Sequence, residues 1–372
     1  MQTYLRKTAL AALLAIISAG FAPAQDDPGL KLFELLDGDK NANHVFSPYS
    51  AVTAMQMAQV GAAGATLEEF NSAMGALAGA PRALPKGRLG YTVANAAFYE
   101  KSAAFQPEYA RRLKQFNAEA KPVDFVKNSA GALKTINSWV SANTRKKIQN
   151  LLTPDNINAA TRIVLVNALH FKDGWAVKFT PENTRRKIFT TASGAEREVS
   201  MMNNTGSYNY AETDGAQALE MPYENGCVMT LYLPKRADDF AAALALLGKD
   251  MGKDFRSARV ELSLPKFKVE KRSSLVEAFK QLGIREAFED SADFSKIFSA
   301  GDVLSISEIV QSVFIEVDES GAEAAAATAV IGIRKIVGVS IDCIKFIADR
   351  PFLFKLSAPD GTPLFTGAIR AP

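Results

Sequence analysis

The pattern of apolar and polar residues predicts helices mainly in the first half of the chain. Apolar positions from Leu32 to Leu36 define a first amphipathic helix. Thr66 and Glu69 have the spacing of a capping box, which predicts that a helix starts there. Gly283 is a C-terminal stop signal for the last helix. Further helices are predicted at 51–60, 108–116, 130–142, 239–247 and 274–282.

Strand patterns dominate the second half of the chain. Asn225-Gly226 is a hairpin turn signal, and Pro359-Asp360-Gly361 turns the chain into a last strand. There is no βαβ alternation, internal repeat or Pro-rich linker, so the pattern indicates one α+β domain. Strands are predicted at 92–99, 162–171, 196–211, 217–221, 227–233, 259–270, 303–317 and 344–357.

Composition is that of a globular protein without a strong electric field. The 372 residues are 48% hydrophobic and carry a formal net charge of +3, so we expect neither a nucleic-acid partner nor a membrane partner. The basic clusters Arg145 to Lys147 and Arg185 to Lys187 are interpreted as solvated faces.

The first residues have the features of a leader. Arg6 and Lys7 precede the apolar stretch TALAALLAII, and Ala22-Pro23-Ala24 supplies the small residues that a signal peptidase requires. We therefore predict a secretory signal peptide at residues 1–24 and a mature chain starting near Gln25. The protein is expected to be secreted, either extracellular or, in a bacterium, periplasmic.

Few residues suit catalysis or metal binding. The chain has only two histidines, His44 and His170, neither in an HExxH spacing, and no GxSxG elbow. We expect no metal, no cofactor and no enzyme activity. Cys227 and Cys343 are the only cysteines, and sequence leaves open whether they form one bridge or remain thiols.

The stretch EVDESGAEAAAAT at 316–328 is the most unusual part of the chain. Alanine favours helix, but the flanking segments alternate in strand fashion or are β-branched. In an extended chain Ala322, Ala324, Ala326 and Thr328 share one face. The stretch is thus either an Ala-rich surface segment or a strand whose small inward side chains let it enter a crowded sheet.

Several long motifs, in order along nearly everything after the leader, resemble those of the serpins. The resemblance implies an α+β serpin fold over residues 25–372, with three β-sheets including a large central one, eight or nine helices and an exposed reactive-centre loop at about 319–345. The motifs are FSPYS (46–50), INSWVSANTRKKIQNLLTPDNI (136–157), LVNALHFKDGW (165–175), MPYENGCVMTLYLP (221–234), LPKFKVE (264–270) and ADRPFLFKL (348–356).

The resemblance implies inhibition of a serine protease by a suicide-substrate mechanism, with covalent trapping and loop insertion. The reactive bond lies fourteen positions beyond Gly321, which selects Lys335-Ile336, with Arg334-Lys335 as the alternative, and a trypsin-like target. The alternative function is that of a non-inhibitory carrier, storage or chaperone-like serpin. The implied hinge consists of Glu319, Gly321, Ala322, Glu323, Ala324, Ala325, Ala326, Ala327 and Thr328.

The resemblance also implies a region that controls opening of the central sheet. This chain has Gln311 where many serpins carry His, and His170 where Tyr is usual, so the hydrogen bonds there are expected to differ. Segment 75–91 lacks a basic helix, so heparin activation is not expected, and we expect a monomer. The implied sheet-opening residues are Ser47, Ser50, Asn167, His170, Trp175 and Gln311.

Overall fold

The computed structural model describes residues 28–74, 84, 90–249, 251–299, 305–322 and 343–372. The predicted signal peptide and the part of the reactive-centre loop from 323 to 342 lie outside these ranges. Within them, no helix combines the length and the apolar character needed to cross a bilayer.

The described residues form seven α-helices. Two predictions from sequence need correction here. α3 begins at Gly64, before Thr66, and the Thr66 hydroxyl accepts from the Asp293 backbone N–H at 2.8 Å instead of capping the helix. Glu69 accepts from two backbone N–H groups after α7, so the predicted capping box does not form. The helices are α1 (Pro28–Leu36), α2 (Pro48–Gln59), α3 (Gly64–Met74), α4 (Pro107–Leu113), α5 (Phe125–Asn143), α6 (Phe240–Leu247) and α7 (Val276–Gln281).

Sixteen strands form two sheets in the described residues. The strands are β1 (His44–Phe46), β2 (Tyr91–Glu100), β3 (Ala118–Val123), β4 (Ile163–Phe171), β5 (Asp173–Gly174), β6 (Arg185–Thr190), β7 (Glu196–Glu212), β8 (Ala216–Pro222), β9 (Val228–Pro234), β10 (Arg256–Pro265), β11 (Phe267–Ser274), β12 (Ile309–Asp318), β13 (Gly321–Ala322), β14 (Ile344–Ile347), β15 (Phe352–Ser357) and β16 (Pro363–Ile369). The hairpin predicted at Asn225-Gly226 is confirmed between β8 and β9.

The central sheet has seven strands. β2 pairs with β3 and β4, and β11 pairs with β12 along its whole length. β5, β13 and β12 lie side by side at one end of this sheet.

The second sheet has nine strands and is continuous because β7 is long. One edge of β7 pairs with β6 and then with β8, and the other edge pairs with β10. The two smaller sheets that the resemblance implies are therefore joined through this one strand. Arg185, Arg186 and Lys187 lie exposed on β6, as expected of a solvated face.

Both faces of the central sheet are covered. Val164 and Val166 of β4 share a buried cluster with Ile136 and Val140 of α5, and we call this side the α5 face. Leu169 and Phe171 share a cluster with residues of the second sheet, and we call this side the core face. Because both faces are buried, β4 is a continuous apolar strand except for Asn167 and His170.

Candidate functional site

A short hairpin joins the end of β12 to β13. Asp318 pairs with Gly321 and Val317 with Ala322, which leaves Glu319 and Ser320 as the turn. On its other edge β13 pairs with β5, so the start of the predicted hinge lies between two strands of the central sheet. Ala322 is only 1% exposed and belongs to the core-face cluster. The first alanine of the unusual stretch is therefore already a strand residue inside the sheet.

Gly321 occupies a position that no other residue fits. Its φ is +140°, a conformation that residues with a Cβ rarely adopt. A Cβ would lie 2.3 Å from the Asp173 carbonyl oxygen and 2.7 Å from the Gly174 Cα. The glycine thus permits the chain to turn and, in the same step, to pass close to the backbone of β5.

Hydrogen bonds fix the hinge turn from both sides. The Asp318 Oδ1 accepts from the backbone N–H of Ser320 at 2.8 Å and of Gly321 at 3.2 Å. Trp175 donates from its indole nitrogen to the Asp318 carbonyl at 3.0 Å and from its backbone N–H to the Ser320 carbonyl at 2.9 Å. Trp175 is buried and stacks on Tyr223 with ring centroids 4.2 Å apart. The turn therefore rests on a rigid aromatic support.

Glu319 points away from the sheet into a charge-assisted cluster. Its carboxylate accepts from Lys266 Nζ at 2.8 Å and from the Thr184 hydroxyl at 2.8 Å. Burial alone would raise the pKa of Glu319, but the hydrogen bonds from Lys266, its own backbone and Thr184, together with the Lys266 charge, outweigh burial and lower it. The hinge base is thus anchored to the β10–β11 junction and to the segment before β6.

Below the hinge, β4 and β12 separate. They are paired in parallel at Leu165 with Ile309 and Val166 with Val310, and the described chain shows no further paired position between them. The side chain of Gln311, just above this pairing, holds both backbone polar groups of Ser47. Ser47 in turn caps α2 through its hydroxyl, which accepts from Ser50 N–H at 3.1 Å.

Asn167 is the β4 residue that would come opposite Gln311 if the parallel pairing continued, but its side chain bonds elsewhere. Its Nδ2 donates to the Asn95 side chain at 2.5 Å, and Asn95 donates to the Phe116 carbonyl at 2.7 Å. The Asn167 Oδ1 is buried and has no hydrogen-bond partner among the residues that the structure describes. Strand alternation puts buried His170 on the opposite, α5 face, away from this group.

The predicted sheet-opening residues do not all lie together. Ser47, Ser50 and Gln311 are hydrogen-bonded where β4 and β12 part, whereas Trp175 supports the predicted hinge. The structure describes three predicted hinge residues, Glu319, Gly321 and Ala322. Glu323 to Thr328, Arg334, Lys335 and Ile336 lie outside the described residues.

Sequence reasoning missed several residues of this site. Asp318 could have been found, because an aspartate two and three residues before accessible backbone N–H groups is a turn signal. Lys266 and Thr184 could not, since they reach Glu319 from distant parts of the chain. Asp173, which pairs with Ala322, is buried and accepts from the Asn225 side chain at 2.7 Å; burial raises the pKa of its carboxyl.

Comparisons with known proteins identify the family. The family model described as Serpin (serine protease inhibitor) matches residues 23–372. The chain is a serpin. It is 31% identical to neuroserpin of Mus musculus, covering 100% of this chain and 97% of the relative. Two solved serpin structures superpose closely: Serpin48 of the insect Tenebrio molitor (30% identity, TM-score 0.82, 94% of this chain and 97% of that one) and native protease nexin-1 with heparin (30%, 0.81, 94% and 98%).

The serpin fold class is thereby confirmed, with its large central sheet and its mixture of helices and strands. Members of this family are mostly protease inhibitors and not enzymes. In the parts of this serpin that the structure describes, no three histidine, cysteine or carboxylate side chains are grouped to hold a metal ion. Neither cysteine is in a disulfide: Cys227 is buried, which raises the pKa of its thiol to about 12, and Cys343 is half-buried.

Proposed function

We propose that this serpin is a secreted inhibitor of trypsin-like serine proteases that acts as a suicide substrate. The observation that carries the proposal is the position of Ala322, buried between β5 and β12 with its small side chain in the core. The strand that a cleaved loop would form has therefore already begun. An inhibitory role requires that the rest of the loop can follow.

Extending the strand pairing of β13 along the loop gives the neighbours that each loop residue would have after insertion. Two residues after Ala322, Ala324 would lie opposite Phe171 of β4 and Ile315 of β12. Ala326 would follow opposite Leu169 and Val313. Each of these alanines would thus have a large apolar neighbour on both sides. Because alanine is small, its side chain would fit between them without a steric clash.

The next inward position is polar on all three strands. In the same register, Thr328 would lie opposite Asn167 and Gln311 on the core face. The Asn167 Oδ1 is a buried acceptor without a described partner, and the threonine hydroxyl is a donor. The loop residues therefore match the strands that would receive them in both size and polarity.

The inhibitory reaction then follows in three steps. The catalytic serine of the protease attacks the Lys335 carbonyl, the bond to Ile336 breaks with a proton passing to the new amine, and an acyl-enzyme remains. The freed loop inserts between β4 and β12 and extends β13 from the residue after Ala322 onward. Insertion gains roughly ten ladder hydrogen bonds at ~1 kcal/mol net each, which drives distortion of the trapped protease before water can release it.

Lysine at the reactive bond sets the target class. A buried ammonium group requires a carboxylate partner, so the primary pocket of the target is acidic. Arg334 immediately before Lys335 leaves the neighbouring bond as the alternative with the same specificity. Trypsin-like or plasmin-like proteases are the proposed covalent partners.

We further propose that the inhibitor is an exported monomer that needs no heparin. The segment between α3 and β2 carries only Arg82, Lys86 and Arg88 as basic residues. Its glycines and its two prolines, Pro81 and Pro85, disfavour a basic helix. The second candidate, a non-inhibitory serpin, is disfavoured because Gly321, Ala322 and Ala324 to Ala327 include no bulky, charged or proline residue.

The test is incubation with active trypsin followed by a denaturing gel and mass spectrometry. The expected product is a covalent complex together with a released fragment beginning at Ile336. Lys335→Ala should abolish fast inhibition of trypsin, and trypsin with its serine blocked should form no complex. Complete cleavage without a complex would favour the non-inhibitory alternative, and a fragment beginning at Lys335 would move the reactive bond by one residue.

A further inference from the structure

We propose that Asp318 is a positioning residue for loop insertion: its side chain holds the hinge turn in the hairpin conformation before the loop is cut. This inference rests on the proposed inhibitory function. Both bonds of the Asp318 carboxylate to the turn involve one oxygen, Oδ1, and the N–H groups of Ser320 and Gly321. Neither N–H is needed to pair β12 with the long strand β11, whose partners end at Val317.

The other side chains that contact the turn bind different groups of it. Trp175 donates to two of its carbonyl oxygens, those of Asp318 and Ser320. Glu319 directs its carboxylate outward to Lys266 and Thr184. The Asp318 carboxylate therefore binds both N–H groups of the turn, that of Gly321 in addition to its backbone pairing with Asp318, while the other contacts fix the carbonyls and the outer side of the turn.

A preformed turn matters because insertion competes with hydrolysis of the acyl-enzyme. Closing the first rung of a hairpin costs conformational entropy before later rungs contribute. In the uncut protein this rung is already closed, with Val317 paired to Ala322 and Asp318 to Gly321. Each later residue adds to an existing ladder, so insertion can start at once when the loop is cut.

The role needs an acceptor atom and not a charge. Asp318 takes part in no ion pair within the described ranges, and an asparagine oxygen accepts the same two N–H groups in turns of this kind. Asp318→Asn should therefore preserve the function of the side chain, and Asp318→Ala should remove it.

The experiment compares the parent, Asp318→Asn and Asp318→Ala against trypsin. The measured quantities are the rate of loop cleavage and the number of inhibitor molecules consumed per protease molecule trapped. The two bonds that share Oδ1 are taken together as worth about one full hydrogen bond, whose loss slows insertion about fivefold, so in the alanine variant the excess of that number over one should rise about fivefold. The cleavage rate should not change, and the asparagine variant should behave as the parent does.

Hydrogen exchange of the uncut proteins measures the protection of the amide groups in the turn without any protease. The Ser320 and Gly321 amides should exchange faster in Asp318→Ala than in the parent and in Asp318→Asn. Equal exchange in all three proteins would overturn the inference about Asp318 but not the proposed function. The same conclusion would follow if the parent traps trypsin and the alanine variant does so with unchanged stoichiometry. A parent that forms no complex with trypsin would overturn the proposed function itself.

Discussion

Gln311 clasps the backbone of Ser47 through two hydrogen bonds. Its Oε1 accepts from the Ser47 N–H at 2.9 Å, and its Nε2 donates to the Ser47 carbonyl at 2.8 Å. Both residues are buried. The clasp ties β12 to the start of α2 at the level where β4 and β12 cease to pair. These two hydrogen bonds therefore stabilise the uncut sheet locally.

Replacing Gln311 by methionine should destabilise the uncut protein. Methionine keeps the length of the side chain but leaves the buried N–H of Ser47 without its partner, whereas the Ser47 carbonyl still accepts from the Ala51 N–H at 3.2 Å. The free energy of unfolding should fall by about 1 to 3 kcal/mol, as measured by urea denaturation. Gln149→Met on the surface, where the side chain makes one exposed bond, is the matched control and should change stability by less than about 0.5 kcal/mol. Equal effects of the two substitutions would show that the clasp is unimportant.

Changes on the inward face of the hinge should turn the inhibitor into a substrate. Ala322→Arg places an unpaired charge in the core, and Ala324→Pro removes a ladder donor from the inserting strand. Both variants should be cleaved by trypsin with little or no covalent complex on a denaturing gel. Ala195→Arg, at an exposed turn, is the control and should inhibit normally. Undiminished inhibition by the hinge variants would mean that insertion does not start at this hairpin.

Thr328 should matter only after cleavage. If its hydroxyl reaches Asn167, Thr328→Val should lower the unfolding free energy of the cleaved protein by about 1 kcal/mol and leave that of the uncut protein unchanged. Thr328→Ser keeps the hydroxyl and should show a smaller loss in the cleaved form. If valine and threonine give cleaved proteins of equal stability, the register derived from β13 is wrong at this position.

Much of the fold was predictable because it is recorded in local periodicity. The buried strand β4 and the hairpin of β8 and β9 were predicted from apolar runs and an Asn-Gly turn. β6 was missed, because its residues from Arg185 to Ile188 are exposed and give no apolar alternation. The predicted strand 259–270 is two strands, interrupted at Lys266, where the chain crosses from one sheet to the other.

The site, like the fold, was predictable only where local alternation in the sequence determines it. The small inward face of the hinge follows from period-two alternation; Ala322, its one described residue, is buried, and the rest of that face stays a prediction. The Gln311–Ser47 clasp and the Glu319–Lys266 pair join residues far apart in sequence. Such contacts depend on how the strands pack in three dimensions, so no residue spacing in the sequence predicts them. His170 was grouped with Asn167 from sequence, but the alternation of β4 puts the two on opposite faces.

His44 should make the stability of the protein depend on pH. Burial lowers the pKa of His44 from 6.5 to about 4, and the nearby Asp37 only partly opposes the shift. The unfolded chain therefore binds more protons between these values, so stability is greatest above pH 6.5 and falls as the pH drops toward 4.

From pH 7 to pH 5 this single residue should cost about 2 kcal/mol of unfolding free energy. The check is urea denaturation of the parent and of His44→Gln, which stays neutral, at the two pH values. The parent should lose about 2 kcal/mol more than the variant, because all other groups titrate in both. Equal losses would show that His44 is protonated in the folded protein.

Thermal unfolding before and after a single cut in the loop tests strand insertion most directly. The protein is cleaved between 323 and 342 by a protease that is not trapped, and the midpoint is compared with that of the uncut protein. Because insertion gains roughly 10 kcal/mol of ladder hydrogen bonds, the midpoint should rise by about 10 °C or more. The cleaved Ala324→Pro variant should show a much smaller rise. An unchanged or lower midpoint in the cleaved parent would contradict insertion of the loop between β4 and β12.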